Sequence, residues 1–192
     1  MSKLLLPAAA LAGLAACQTS HLPYSAGIYR SAAAFRQQRL NLNGTQVKPA
    51  FTGHHLLVVQ AKSGAIKRVK VAPDSIWGYV TARGQAYRTF QRQAYSIRQV
   101  DTLTIYSRHV GKNTHFYFSQ GLTGPIVVLA PKRLRETFGS NPTFMSLLGQ
   151  FKWYQRLEAP EPTAGSTQPR GTSYRVVALY RQSLGLPITP FH

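Results

Sequence analysis

The chain of 192 residues has a single cysteine, Cys17. One thiol cannot form a disulfide within the chain, although small domains in oxidising compartments usually contain such bonds. We therefore expect the fold to be held together by its hydrophobic core alone.

Acidic residues are almost as scarce as cysteine. Lysine and arginine together number 23, whereas the acids number five, and the formal net charge is +18. The five acids are Asp74, Asp101, Glu136, Glu158 and Glu161. Calcium and magnesium sites need several oxygen ligands, and glycoside hydrolysis normally needs two opposed carboxylates. Only Asp74, Asp101 and Glu136 lie in the region that we expect to be structured, and no two of them are close in the sequence, so we expect neither kind of site.

Motifs for nucleophilic or phosphate chemistry are also missing. The sequence has neither a Gly-x-Ser-x-Gly motif nor a phosphate-binding loop, and no acid is placed to orient the histidine of Ser107-Arg108-His109. A metal site would need a third ligand beside His109 and His115, which flank a tight turn. A three-residue loop would pair His109 with His115, and a two-residue loop would pair His109 with Thr114. We predict no metal, no cofactor and no enzymatic activity.

The only long apolar run lies at the N-terminus. Lys3 precedes 13 apolar residues, Leu4 to Ala16. This run is shorter than the roughly 20 residues that span a bilayer, but it suits the apolar region of a signal peptide. It ends in Leu14-Ala15-Ala16-Cys17.

This ending resembles the lipobox of bacterial lipoproteins, in which small residues precede an acylated cysteine. The resemblance implies that residues 1–16 are a signal peptide and that Cys17 becomes the lipid-bearing first residue. Three acyl chains would make the membrane anchor effectively permanent. In this family an aspartate after the cysteine usually retains the protein at the inner membrane, so Gln18 at that position implies sorting to the outer membrane. No acidic cluster follows Cys17, and we therefore expect the folded domain on the periplasmic side. Residues 17–27 would then be a tether and residues 28–192 a single globular domain.

Composition supports a folded domain with an unusual surface. Hydrophobic residues make up 44% of the chain, which is typical of a globular protein. A strongly basic surface attracts polyanions. In a cell envelope these are anionic lipid headgroups, lipopolysaccharide phosphates and anionic glycans; nucleic acid is not an expected partner of an exported protein. The alternative is that the positive charge only keeps the domain soluble.

The pattern along the chain predicts an α+β, mainly β fold. Turn signals recur every 8–12 residues and indicate an antiparallel β-meander of about seven or eight strands with short flanking helices. The predicted strands are residues 54–60, 66–72, 76–81, 86–90, 94–100, 103–110, 114–119 and 126–130. The predicted helices are residues 32–39, 132–138, 143–150 and 173–184. We interpret residues 41–53 as turn-rich and residues 158–172 as a flexible linker rich in proline, threonine and serine.

Aromatic and cationic residues are interleaved along these predicted strands. On an exposed face they would form a platform on which rings stack and guanidinium groups pair with phosphate or carboxylate. The candidate residues for binding an anion or a partner are Arg88, Arg98, Arg108, Tyr87 and Tyr106. In the alternative interpretation the rings form the core, and the stems of the cations cover the outer surface.

Two segments resemble uncharacterised exported proteins of Gram-negative bacteria. One is the Gly-Ile-Tyr-Arg segment with a short helix, residues 27–35, and the other is the Trp-Gly-Tyr strand with its Gly turn and Tyr-Arg strand, residues 77–88. This resemblance implies fold class and export, but no activity. We predict a membrane-anchored envelope lipoprotein that binds an anionic envelope component or an envelope protein. The alternatives are an enzyme, which would gather His109 or His115 with Asp101 or Glu136, and a structural subunit, which would expose a large apolar patch.

Overall fold

The computed structural model describes residues 24–43, 46–49, 56–62, 65–150, 157–159 and 173–187. The strands are β1 (Gly27–Tyr29), β2 (Leu42–Asn43), β3 (Gln46–Pro49), β4 (Leu56–Lys62), β5 (Ala65–Val71), β6 (Gly78–Val80), β7 (Ala86–Phe90), β8 (Gln93–Gln99), β9 (Leu103–Val110), β10 (Asn113–Gln120) and β11 (Val127–Val128). The helices are α1 (Ala32–Arg36), α2 (Pro131–Phe138), α3 (Pro142–Gly149) and α4 (Arg175–Ser183). No helix within these ranges is long and apolar enough to cross a membrane.

Eight antiparallel strands form the main sheet, in the order β11-β10-β9-β8-β7-β6-β1-β2. Strands β6 to β11 follow one another as a meander. Gly84 and Gly111 occupy positive φ angles of 75° and 60° in two of its turns, a conformation that glycine adopts without a steric penalty. The predicted mainly β, antiparallel fold with short helices is confirmed.

The prediction of one continuous meander is wrong for the N-terminal third of the domain. Strands β3, β4 and β5 form a separate sheet of three strands, which we call the small sheet. The segment interpreted as turn-rich contributes β2 and β3. Alternation identifies a strand but not the sheet that it joins, and strands as short as β2 have too little pattern to detect.

One face of the main sheet is covered by two separate layers. Over β9 and β10, Leu103, Ile105 and Phe118 pack against buried side chains of the last three helices. These helical side chains are Leu134, Phe138, Phe144, Leu148, Val176, Val177 and Tyr180. Over β1 and β6, the small sheet packs its buried residues Val47, Leu56 and Val58 against Ile28 and Tyr79. The last helix therefore docks on the sheet as predicted.

The opposite face is covered by α1 and by residues 121–126. Phe35 of α1, Leu122 and Ile126 are buried against strand residues that include Tyr29 and Tyr106. Ser31 caps α1, because its hydroxyl accepts a hydrogen bond from the backbone N–H of Ala34 at 3.0 Å. The helix ends at Arg36, earlier than predicted, and the chain then turns through Gln38 at a φ of 53°.

Several sequence features lie outside the described residues. These are the predicted signal peptide with Cys17, the start of the first predicted strand with the adjacent histidines His54 and His55, and most of the predicted linker. Tyr24 and Gly27, assigned to the tether, belong to the fold: Tyr24 packs on Phe35 at 4.2 Å between ring centroids, and Gly27 begins β1. At the start of the predicted linker, the Ala159 carbonyl accepts a hydrogen bond from the Arg175 N–H at 2.9 Å.

Candidate functional site

Strand register aligns two arginines, a tyrosine and a histidine across β7, β8, β9 and β10. Arg88 lies opposite Tyr95, and Arg108 lies opposite His115. The register of β8 on β9 places Tyr95 beside Arg108. We call these four residues the cation–tyrosine row. Successive side chains of a strand alternate between faces, so the row shares the face that α1 and residues 121–126 cover at one end.

The Arg88 end of the row is closed. Arg88 is only 4% exposed, and its guanidinium nitrogens donate to the Tyr106 hydroxyl at 3.1 Å, the Ser119 hydroxyl at 3.3 Å and the Thr123 carbonyl at 3.3 Å. The guanidinium carbon also lies about 6 Å from the rings of Trp77, Phe90 and Tyr106. Arg88 therefore ties three strands to the loop at 121–126.

No ion pair among the described residues includes Arg88, and its buried Nε atom has no hydrogen-bond partner there. A second side chain fixes the same loop: the Trp77 indole N–H donates to the Leu122 carbonyl at 2.9 Å. This end of the row thus has a structural role under a closed loop.

The Arg108 end of the row is open. Arg108 is half-buried and His115 is exposed. The Tyr95 ring and the half-buried Tyr117 ring make an edge contact, with 4.9 Å between the ring centroids. Burial raises the pKa of Tyr95 and the neighbouring Tyr117 hydroxyl adds to this effect, whereas the charge of Arg108 and its hydrogen bond oppose it.

Two exposed valines border this open end on the same face. Val110 follows Arg108 by two residues on β9 and is 46% exposed, and Val128 pairs with Tyr117 and is 51% exposed. We call Tyr95, Arg108, Tyr117, Val110 and Val128 the Arg108 face. It combines the half-buried Arg108 and Tyr117 with exposed aliphatic surface, and the Tyr95 ring beneath them is buried at 8% exposure.

The five predicted binding residues do not share one exposed surface. Arg108 lies on the Arg108 face, whereas Arg88 and Tyr106 are buried on the same side of the sheet. Tyr87 lies on the opposite side and stacks on Tyr79 at 4.9 Å. Arg98 is exposed where the β8–β9 register shifts.

The expectation of a platform is therefore wrong for Arg88 and Tyr106. The alternative, in which cations cover the outer surface, is also wrong for Arg88. The physical reason is the loop at 121–126, which closes over the sheet and supplies the carbonyl that Arg88 binds. A strand pattern does not predict where a loop will cover the sheet.

Sequence reasoning did not select Tyr95 and Tyr117, although both belong to the interleaved aromatic pattern. The length of the β9–β10 loop is the signal that places Tyr117, whereas the register of β8 on β9 places Tyr95. The structure has the two-residue loop, because His109 pairs with Thr114 and its Nδ1 lies 3.0 Å from the Thr114 hydroxyl. That register sets Tyr106 opposite Tyr117 and Arg108 opposite His115.

Both acids that were considered for an enzyme site are engaged by arginines. Asp101 precedes β9 and binds Arg181 at 2.8 Å. His109 lies at the other end of that strand, roughly 25 Å away at the usual rise per residue. Glu136 binds Arg133 at 2.7 Å on α2. Among the residues that the structure describes, no three histidine, cysteine or acidic side chains cluster as metal ligands would.

Comparison with protein-family models, curated proteins and solved structures finds no significant match to this chain. The argument for function therefore depends on the surface chemistry described above and on the N-terminal sequence.

Proposed function

We propose that this chain is a lipid-anchored envelope protein that binds, without catalysis, an anionic envelope component or an envelope protein through its Arg108 face. The supporting observation is the half-buried guanidinium of Arg108 beside the Tyr95 and Tyr117 rings, with Val110 and Val128 exposed around it. A planar guanidinium pairs with phosphate or carboxylate in two-pronged geometry. The half-buried Tyr117 ring and the two exposed valines add apolar surface that a partner can cover.

The arrangement of the acids supports a role in binding over one in catalysis. Three carboxylates in the described part of the chain are each engaged by an arginine, at 2.8 Å for Asp74, 2.8 Å for Asp101 and 2.7 Å for Glu136. A carboxylate held in an ion pair is less available as a general base. These acids therefore serve local structure in our proposal.

The anchor in this proposal is Cys17. Six residues, 18–23, separate Cys17 from Tyr24, the first residue that the structure describes, which packs against the core. Even when fully extended they span at most about 25 Å. Acylation would thus keep the whole domain beside a bilayer, in our proposal the periplasmic leaflet of the outer membrane.

A pull-down from detergent-solubilised envelope tests the binding surface. We expect wild type to retain a partner at low salt that Arg108→Glu loses. Arg83→Glu is the matched control, because Arg83 is exposed in the β6–β7 turn and the variant has the same net charge. Loss of the partner at high salt would indicate an anionic ligand, whereas retention would indicate a packed protein interface. Identical partners for all three proteins would contradict the proposal.

Two measurements test the anchor separately. Mass spectrometry of the protein from membranes should show a chain that begins at an acylated Cys17. A Cys17→Ser variant should leave the membrane fraction or remain uncleaved. An unprocessed, unacylated N-terminus in wild type would contradict the proposed anchor. The proposed role of the Arg108 face would still be tested by the pull-down.

A further inference from the structure

The small sheet has a second face, turned away from the main sheet, that is neither polar nor fully covered. Strand alternation places Leu56 and Val58 of β4 inward, where both are buried. Leu57 and Val59 of the same strand therefore point outward, and both are half-buried. Outward positions of a solvent-facing antiparallel sheet are usually polar.

Cations stand directly beside these outward aliphatic residues. Leu57 pairs with Lys70, and Val59 pairs with Arg68. Two residues before Arg68 on β5, Ile66 is 71% exposed, the highest value among the exposed large hydrophobic side chains of the described residues. We call Leu57, Val59, Ile66, Arg68 and Lys70 the outer face of the small sheet. Its chemistry is aliphatic at the centre and basic on the β5 side.

None of the three ion pairs among the described residues includes Arg68 or Lys70. The nearest acid in the sequence is Asp74, and its carboxylate binds Arg92 at 2.8 Å. Arg68 and Lys70 are both exposed on this face. The face therefore presents a local excess of positive charge next to exposed aliphatic surface.

We propose that the outer face of the small sheet lies against the anionic phospholipid headgroups of a bilayer. Cations near such a surface are attracted to it, and aliphatic side chains between them enter the boundary between headgroups and acyl chains. Ile66 is placed for that role, and the long stems of Arg68 and Lys70 allow their charges to reach the phosphates.

Two alternative roles for this face are protection of a sheet edge and self-association. Neither explains both its aliphatic residues and its cations. Lysines on an edge strand such as β5 discourage pairing with other chains, but this does not explain why Leu57, Val59 and Ile66 point outward. A second copy of the chain would bring Arg68 and Lys70 against like charges. An anionic lipid surface would both attract the cations and accommodate the aliphatic side chains.

This placement complements the proposed function without depending on it. The small sheet and the Arg108 face lie on opposite sides of the main sheet. With the small sheet against a bilayer, the Arg108 face would point away from the membrane and remain open to a partner. Attraction to headgroups would act whether or not Cys17 is acylated.

Vesicle co-sedimentation with the full chain carrying Cys17→Ser tests the proposal, because no acyl chain then contributes. We expect binding to vesicles of mixed phosphatidylglycerol and phosphatidylcholine to exceed binding to phosphatidylcholine alone. Arg68→Glu/Lys70→Glu should lower the partition coefficient for the anionic vesicles by roughly tenfold to a hundredfold. Ile66→Ser should lower the part of the binding that persists at high salt, whereas Leu186→Ser, an exposed leucine after α4, should not.

The matched control is Lys132→Glu/Arg135→Glu on α2, which removes the same charge from another exposed basic surface. All variants share one N-terminus, so any binding through that segment is equal among them. Equal losses in the two double variants would mean that net charge alone drives binding and would overturn the proposal. So would equal binding to anionic and neutral vesicles, or self-association of the chain that the β5 variant abolishes. None of these outcomes depends on the acylation of Cys17, which the mass measurement tests by itself.

Discussion

At the scale of single residues, Arg88 is the most unusual side chain in the described part of the chain. Its guanidinium is buried among Trp77, Phe90 and Tyr106, and its hydrogen bonds go to hydroxyl and carbonyl oxygens. Removing a charge from water without a carboxylate partner opposes folding. The hydrogen bonds and ring contacts must offset that cost, together with the volume that the side chain fills.

Substitutions at Arg88 separate these contributions. Arg88→Ala should lower the free energy of unfolding by about 3 kcal/mol, because it leaves a cavity and an unpaired Thr123 carbonyl. Arg88→Met fills most of the volume and removes the buried charge, so it should cost less than half as much. Urea unfolding of the two variants provides the measurement. Equal destabilisation would show that the polar contacts, not the volume, hold the loop.

Tyr79 links stability to alkaline pH. Its phenol is buried and stacked on Tyr87, and burial, followed by the Tyr87 hydroxyl, raises its pKa well above the usual 10.0. The folded state then retains a proton that the unfolded chain loses, so stability is complete below pH 10.0 and falls as the pH rises above it.

We expect Tyr79→Phe to weaken that pH dependence. The free energy of unfolding, measured in urea from neutral pH to above pH 10.0, should fall less steeply for the variant than for wild type. Phe90→Leu serves as a control, since it changes packing and leaves every tyrosine in place, and it should keep the wild-type slope. An unchanged slope for Tyr79→Phe would rule out this tyrosine as a source of the alkaline sensitivity.

At the scale of elements, the β6–β7 pair depends on one glycine. A Cβ atom at Gly78 would lie 2.3 Å from the backbone carbonyl oxygen of Tyr87, whereas a Cβ at Gly149, the last residue of α3, meets nothing within 4 Å. Gly78→Ala should therefore destabilise the protein by about 3 kcal/mol or more, because backbone must move. Gly149→Ala should be neutral or stabilise by up to about 1 kcal/mol. Thermal unfolding of both variants tests this; similar melting temperatures would contradict the close strand approach.

The elements that the sequence predicted well have at least five residues and are bounded by turn signals. Strands β7 and β9 have the predicted limits, and α2 begins only one residue earlier, at Pro131. The missed strands β1 and β2 have three and two residues, and β1 pairs with β6, about fifty residues further along the chain. Such short strands depend on their partner strands for stability, and the local sequence pattern does not indicate which distant strand will be the partner.

In the candidate site too, local pattern predicts some features, and contacts with distant segments decide the rest. Alternation on β7 indicates that Tyr87 and Arg88 face opposite sides of the sheet, and the structure places them so. It does not indicate which side a loop covers, so Arg88 was expected at the surface. Alternation places Ile66, Arg68 and Lys70 on one side of β5, and all three are exposed in the structure.

At the scale of the whole molecule, charge opposes compactness. The chain has 23 cations and five acids, and three described carboxylates are engaged in arginine pairs, so most of the positive charge stays unbalanced. Folding brings these charges closer together, and their repulsion lowers the stability of the compact state. Dissolved salt screens charges that are more than about 10 Å apart at 0.1 M ionic strength.

We therefore expect salt to stabilise this protein. The free energy of unfolding in urea should rise by on the order of 1 kcal/mol as sodium chloride is increased from low to moderate concentration. Chloride is preferred to sulfate, because sulfate strengthens apolar burial by a separate effect. The variant Lys132→Glu/Arg135→Glu reduces the repulsion without touching the core, so its stability should depend less on salt. A decrease of stability with salt would show that attractive pairs such as Asp101 with Arg181 outweigh the repulsion. The excess of cations could then take part in binding without lowering the stability of the fold.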